Sequence, residues 1–296
     1  MGEETVRLEK LNREIEIYLK EKQEAEPLFR FSGELFRLQE RYAGQIKPHR
    51  SWSREQAREL FLQGCYLLKD APPAIAPGLF RSILGEIVEA VIRHFPRAEP
   101  LRKIMRQPEL TETRLPQFLA GSNLLDSREL EKQVRAWGWE GDEPVESSLA
   151  AGTVKDALAP FYIALAAAVR EEIDLALWGE GFCPVCGQDP GMALLNDEGA
   201  RILHCSFCRT CWQFPRLECP FCRNRDPQRL GYFYADEYPG RRVQVCERCK
   251  SYLKTAVVKE IGREVILELE DIFTLELDHL ARREGYRAGR DLALLQ

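Results

Sequence analysis

Residues 183–187 read C-P-V-C-G, residues 205–208 read C-S-F-C, residues 219–222 read C-P-F-C and residues 246–249 read C-E-R-C. These four pairs hold eight of the chain's ten cysteines. A C-x-x-C turn sets two thiolates on one side of a metal at about 2.3 Å, and a second turn at the far end of a hairpin completes a tetrahedron. The first two pairs are separated by 18 residues, inside the spacing of zinc ribbons, and the last two by 23, slightly beyond it. Cys183 and Cys186 precede Cys219 and Cys222 by 36 positions, while Cys205 and Cys208 precede Cys246 and Cys249 by 41. One hairpin module is therefore used twice, with five residues inserted in the second copy.

The expected ligands are Cys183, Cys186, Cys205 and Cys208 for one metal and Cys219, Cys222, Cys246 and Cys249 for the other. A cross-braced arrangement would instead join the first pair to the third and the second to the fourth. The duplicated hairpins favour the sequential arrangement. Redox C-x-x-C pairs accompany a thioredoxin-like βαβ pattern, which is absent here. Cys211 lies three positions after Cys208 and has no counterpart in the second module, where Tyr252 takes its place, so it reads as a spare thiol. His204 flanks Cys205, but four sulfurs already saturate the site. Four thiolates suit zinc or a single iron, and spacing does not separate the two. With every position taken by sulfur, no open site is left for hydrolytic chemistry.

Around the cysteines, short β-prone runs occur at 201–205, 230–234, 242–246 and 253–258, with turn signals at 196–199 and 239–240. Before Gly179 the chain reads as helix after helix. Ser53 and Gln56 form a capping box opening a helix over 54–69. The apolar residues of 78–95 recur at intervals of three and four, the mark of a core-facing helix. Asp126 and Glu129 open a helix expected to end near Gly138. Thr153 and Asp156 open another through Trp178, with Pro160 expected to kink it or to mark its true start. A terminal amphipathic helix is expected over 270–284. His49 and His94 lack spaced partners and read as structural or surface residues.

The resulting fold class is α+β: an all-α helical domain over 1–178, two tandem rubredoxin-like or zinc-ribbon modules over 182–215 and 216–262, and a C-terminal helix and tail over 263–296. The opening MGEETVRLEK mixes charges with no apolar run behind it, which argues against a signal peptide. The apolar stretch 157–169 is too short to span a bilayer and reads as a buried helix. A cytoplasmic location and reduced thiols are the expectation. Residues 201–254 carry 11 Lys and Arg against 5 Asp and Glu, but eight thiolates on two divalent ions lower that excess to roughly +2. This is a thin basis for binding phosphates, which argues against nucleic acid as partner. An electron-transfer module would need iron and a short path to its partner. A metal-stiffened β platform for protein binding suits the Tyr and Arg content best, with Tyr238, Arg241 and Arg242 of the insertion as the expected exposed contacts.

The C-P-V-C-G knuckle, L-H-C-S-F-C at 203–208 with Trp212 after it, C-P-F-C, C-E-R-C-K-S-Y-L-K at 246–254 and L-A-P-F at 158–161 together resemble the formate dehydrogenase accessory protein (FdhE) family. D-H-L-A-R-R-E-G-Y at 278–286 resembles the family's ending. The resemblance implies a cytoplasmic, non-enzymatic maturation factor for respiratory formate dehydrogenase that contacts its catalytic subunit. It implies two rubredoxin-like modules with iron, or zinc in its place, on the eight cysteines. C-P-F-C-R lacks the Gly that comes after the first knuckle, so the second site is expected to be less rubredoxin-like. The alternatives carried forward are a rubredoxin-like electron-transfer protein and a nucleic-acid-binding zinc ribbon.

Overall fold

The computed structural model describes residues 3–49, 52–70, 72–111, 113–121, 125–136, 144–170 and 173–289. Its helices are α1 (Glu3–Glu21), α2 (Glu26–Gln45), α3 (Arg54–Leu62), α4 (Pro77–His94), α5 (Leu115–Gly121), α6 (Ser127–Ala136), α7 (Pro144–Arg170), α8 (Val258–Ile261), α9 (Leu267–Phe273) and α10 (Leu275–Arg283). Its strands are β1 (Met192–Leu195), β2 (Arg201–His204), β3 (Cys211–Gln213), β4 (Leu230–Phe233), β5 (Arg241–Cys246), β6 (Ser251–Val257) and β7 (Arg287–Ala288). Helices α1–α7 precede a single sheet and α8–α10 follow its strand β6, so the fold is α+β.

The chain forms two compact units. One comprises Gln23–His49 and Pro73–Leu165, and is helical. Here α4 buries Phe80, Ile83, Leu84, Ile87, Val88 and Val91, the stripe its periodicity announces. Asp126 Oδ1 accepts from the amides of Arg128 and Glu129 and caps α6. The expected end of that helix, Gly138, lies outside the described residues.

Helix α7 starts earlier and ends sooner than Thr153 and Trp178 suggest. Thr153 does not cap: its hydroxyl donates back to the Leu149 carbonyl within the helix, at 2.8 Å. Ala150, Ala151 and Val154 are buried, and that packing extends the helix N-terminally. Pro160 lies inside without ending it. Residues 147–170 are long and apolar enough to cross a membrane, but most of that stretch is buried in the fold.

The other unit comprises Met1–Lys22, Arg50–Pro72 and Ala166–Gln296. It holds α1, α3 and the whole sheet. The Ser53 capping box is present, with the Gln56 side chain accepting from the Ser53 amide at 2.8 Å. Helix α3 stops at Leu62 rather than running to Lys69, because the chain turns left-handed at Gly64, φ 67°. The sheet runs β3-β2-β1-β6-β5-β4, with β7 beside β6. Each module contributes three consecutive antiparallel strands, and the modules join where β1 pairs β6 in parallel, Ala193 opposite Thr255.

Equivalent strands meet unlike fates. β3 is a three-residue edge, whereas its counterpart β6 lies in the middle of the sheet and is buried at all seven positions. One face of the sheet is covered by helix. Met192 and Ala256 pack on Leu267, Tyr252 donates to Asp278 at 2.8 Å, and Tyr18 of α1 stacks 4.7 Å from Phe273. The expected terminal helix is in fact two, α9 and α10, divided at Thr274.

Candidate metal centres

All four C-x-x-C pairs close one kind of turn. The amide after the second cysteine donates to the carbonyl of the first: Gly187 to Cys183 at 3.0 Å, Arg209 to Cys205 at 2.9 Å, Arg223 to Cys219 at 3.0 Å and Lys250 to Cys246 at 2.8 Å. The amides of Cys183, Cys205 and Cys219 donate in turn to the carbonyls of Gln188, Thr210 and Asn224. The donating residue after each pair is left-handed, with φ of 75°, 60°, 62° and 55°. Arg209, Arg223 and Lys250 are the non-glycine residues with positive φ among the described residues. Each costs about 1–2 kcal/mol of backbone strain, and such strain gathers where a site demands it. The absent glycine in C-P-F-C-R therefore leaves the turn unchanged, since Arg223 adopts the same conformation. Only the first knuckle requires glycine. A Cβ on Gly187 would sit 2.6 Å from the Tyr66 ring, and this neighbouring segment also donates from the Leu67 and Leu68 amides to the Pro184 and Val185 carbonyls.

These turns bring the sulfurs together in sequential sets. Cys183, Cys186, Cys205 and Cys208 form one group and Cys219, Cys222, Cys246 and Cys249 the other, with the Sγ atoms of each group within 4.8 Å of one another. The cross-braced pairing is not what the fold makes. Cys183 lies 3.4 Å from Cys208 and Cys186 3.5 Å from Cys205. In the second group Cys219 to Cys249 and Cys222 to Cys246 are both 3.7 Å. A tetrahedron with metal–sulfur bonds of about 2.3 Å has edges of about 3.8 Å, so both groups have the size for zinc or a single iron. All ten cysteines are free thiols.

The electrostatics of each group suit a cation. Burial pushes the Cys183 and Cys186 thiols far up, while hydrogen bonds from the other three cysteines hold Cys208 far below the usual thiol range. In the second group burial pushes Cys222 up to about 11, and hydrogen bonding to Cys219 draws Cys249 down to about 4. A thiolate in such a group opposes ionisation of the thiols beside it. A divalent ion held among the four sulfurs would relieve that conflict by stabilising the thiolates. Two further contacts, invisible in the sequence pattern, reach the sulfurs from outside. Thr210 Oγ1 lies 3.1 Å from Cys208 Sγ, and Asn224 Nδ2 donates to Cys246 Sγ at 3.8 Å.

The remaining candidates stand apart. Cys211 is exposed on β3 and belongs to neither group, and Cys65 is half-buried near Lys69. His204 is buried with Nε2 3.5 Å from Glu268, which raises its pKa against the opposing effect of burial. His94 pairs with Glu34 at 2.8 Å, and His49 is exposed. Two of the three expected contact residues are not surface groups. Tyr238 and Arg241 are 2% and 6% exposed. The Arg241 guanidinium is held by Glu270 at 2.9 and 3.0 Å. Arg242 is half-buried and pairs with Glu260. The insertion folds inward because α9 offers it a buried carboxylate.

A family model described as "FdhE, central domain" matches residues 182–216. Among curated proteins, the chain is similar to Protein FdhE homolog of Aquifex aeolicus, 37% identical over 113 residues, which is 37% of this chain and 40% of that protein. It is also similar to Protein FdhE of Escherichia coli K12, 31% identical over 109 residues, or 36% of this chain and 34% of that one. The chain thus matches two fifths or less of the length of these relatives. The crystal structure of the FdhE protein from Pseudomonas aeruginosa has a similar fold, with a TM-score of 0.57 at 18% identity over 96% of this chain and 93% of that one. The family model and the curated relatives share the FdhE resemblance in sequence, and the solved structure shares the fold.

Proposed function

We propose that the chain is a formate dehydrogenase accessory protein, a cytoplasmic, non-enzymatic maturation factor that binds the catalytic subunit of a respiratory formate dehydrogenase. Cys183, Cys186, Cys205 and Cys208 ligate one ion and Cys219, Cys222, Cys246 and Cys249 the other. The observation that carries this reading is the pair of metal-sized four-thiol groups, the first of which falls inside residues 182–216, the stretch that the FdhE central-domain model matches. Saturated tetrathiolate ions hold shape or pass electrons, and leave no position for hydrolysis. Residues 182–215 and 216–262 serve as the two metal modules, and binding is the activity they support.

Anaerobic purification from the native host and subsequent metal analysis test the reading. Two ions per chain and co-purified catalytic subunit are expected. A Cys183→Ser, Cys219→Ser double variant should lose both ions, and Cys211→Ser should keep them. A single ion, or a stoichiometry that changes with Cys211, would overturn the ligand assignment. Zinc-loaded protein that binds the catalytic subunit and restores formate dehydrogenase activity supports a shape-holding role. Zinc-loaded protein that binds without restoring activity would instead favour electron transfer by iron.

A further inference from the structure

The sheet has two unlike faces. Helices α9 and α10 cover one of them. Over the other lies a groove of ≈ 230 Å³, bounded by β4, β5 and β6 and by residues 216–221, which lead into the second knuckle. Leu195, Leu230, Leu253 and Phe221 line it. Leu217 and Tyr232, 68% and 57% exposed, stand at its mouth. The volume falls below the roughly 300–1,000 Å³ of small-molecule pockets and suits one or two side chains of a passing polypeptide.

The charge around the groove is one-sided. Arg201, Arg216 and Arg242 line it against a single carboxylate, Glu218. That carboxylate is engaged by Arg223 at 2.6 Å and Arg225 at 2.7 Å, and Arg242 pairs with Glu260. Among the described residues Arg216 donates only to the Gly199 carbonyl, and Arg201 to Gln244 Oε1 and the carbonyls of Pro215 and Glu218. No carboxylate among the described residues accepts from either. Arg201 is buried and its guanidinium is spent on those internal acceptors, whereas Arg216 is exposed. An apolar floor beside that exposed arginine is complementary to an apolar side chain flanked by an acidic one, and Tyr and Arg are the residues that dominate such interfaces. A nucleic-acid backbone would call for a row of cations, not a leucine-lined floor.

We propose that this groove seats an extended segment of the formate dehydrogenase catalytic subunit in which an apolar residue lies next to Asp or Glu. The apolar side chain fills the floor and the carboxylate meets Arg216. This rests on the maturation-factor reading above. The test uses the full, metal-loaded chain and the purified catalytic subunit. Arg216→Glu with Leu217→Ser changes two exposed side chains and lowers the charge by two, and Arg283→Glu on α10 is the charge-matched control. The double variant should bind at least about tenfold more weakly than wild type at unchanged metal content, and the control should bind within about twofold. Equal binding by the double variant overturns the groove while leaving the maturation-factor reading intact. Failure of wild type to bind overturns that reading, and the groove's occupant with it. A photo-crosslinker in place of Leu217 gives a second measurement that tolerates no folding argument. Capture of a client peptide with an acidic residue beside an apolar one supports the proposal, and capture of a basic peptide, or no client capture, overturns it.

Discussion

Gly187 is held by two constraints at once. Its φ of 75° is costly for a residue with a Cβ, and that Cβ would meet the Tyr66 ring at 2.6 Å. Gly187→Ala should therefore cost at least about 2 kcal/mol, combining backbone strain with overpacking. Urea unfolding of the zinc-loaded protein measures it, and an alanine variant as stable as wild type would mean that the ring yields freely. The eight thiols are legible in sequence because ligand chemistry fixes both residue type and spacing. The conformation of the residue after each pair is not. Arg209, Arg223 and Lys250 take a glycine-like conformation against their own preference, since the knuckle's amide-to-carbonyl bond permits no other path. Exposure within the insertion is equally hidden. Polar character marks Tyr238 and Arg241 as surface residues, whereas the buried Glu270 that draws Arg241 inward lies 29 positions away.

The break between α9 and α10 shows how a distant strand divides an amphipathic stripe. Lys254 of β6 is almost completely buried, and its ammonium donates to the Asp271 carbonyl at 2.7 Å, to the Thr274 carbonyl at 3.4 Å and to Asp278 Oδ2 at 2.6 Å. A cation at the end of α9 satisfies carbonyls that a continuous helix would have used internally. Lys254→Met should cost about 3–5 kcal/mol, because it strands buried acceptors and leaves Asp278 without its cation, with the Tyr252 hydroxyl still donating to it. Thermal and urea unfolding check this, and a loss under about 1 kcal/mol would show that water replaces the ammonium. Apolar periodicity at 270–284 predicts one helix because it carries no record of Lys254. The longer elements, α4, β5 and β6, are legible from their patterns. β1 and β3 are not: M-A-L-L has no strand-like alternation, and a three-residue strand shows no period at all. They are strands because β2 lies between them and β6 continues the sheet beyond β1.

At the scale of the molecule, the duplicated modules form one sheet rather than two separate ribbons, and they meet closely. A Cβ on Gly181, before the first knuckle, would fall 1.9 Å from the Pro220 carbonyl of the second. The helices that share this unit include the first in the chain: α1 buries Leu11, Ile15 and Tyr18, and Tyr18 hydrogen bonds to Glu270 of α9. Arg263, just before α9, reaches Glu14 of α1. Metal removal should therefore reach well beyond the cysteine-rich stretch. With the ions gone, the strongly raised thiols reprotonate, the knuckles lose the bonds that offset their strained backbone, and the sheet loses the platform on which α9 and α1 rest. Hydrogen exchange after anaerobic chelation should show lost protection in β1, β2, β5 and β6 and, with them, in α1 and α9. Helices α2 and α4 should keep theirs, together with most of the far-UV helical signal. Protection retained in α1 while the strands exchange freely would show that α1 is anchored elsewhere. Simultaneous loss in α2 and α4 would show that the two units unfold as one.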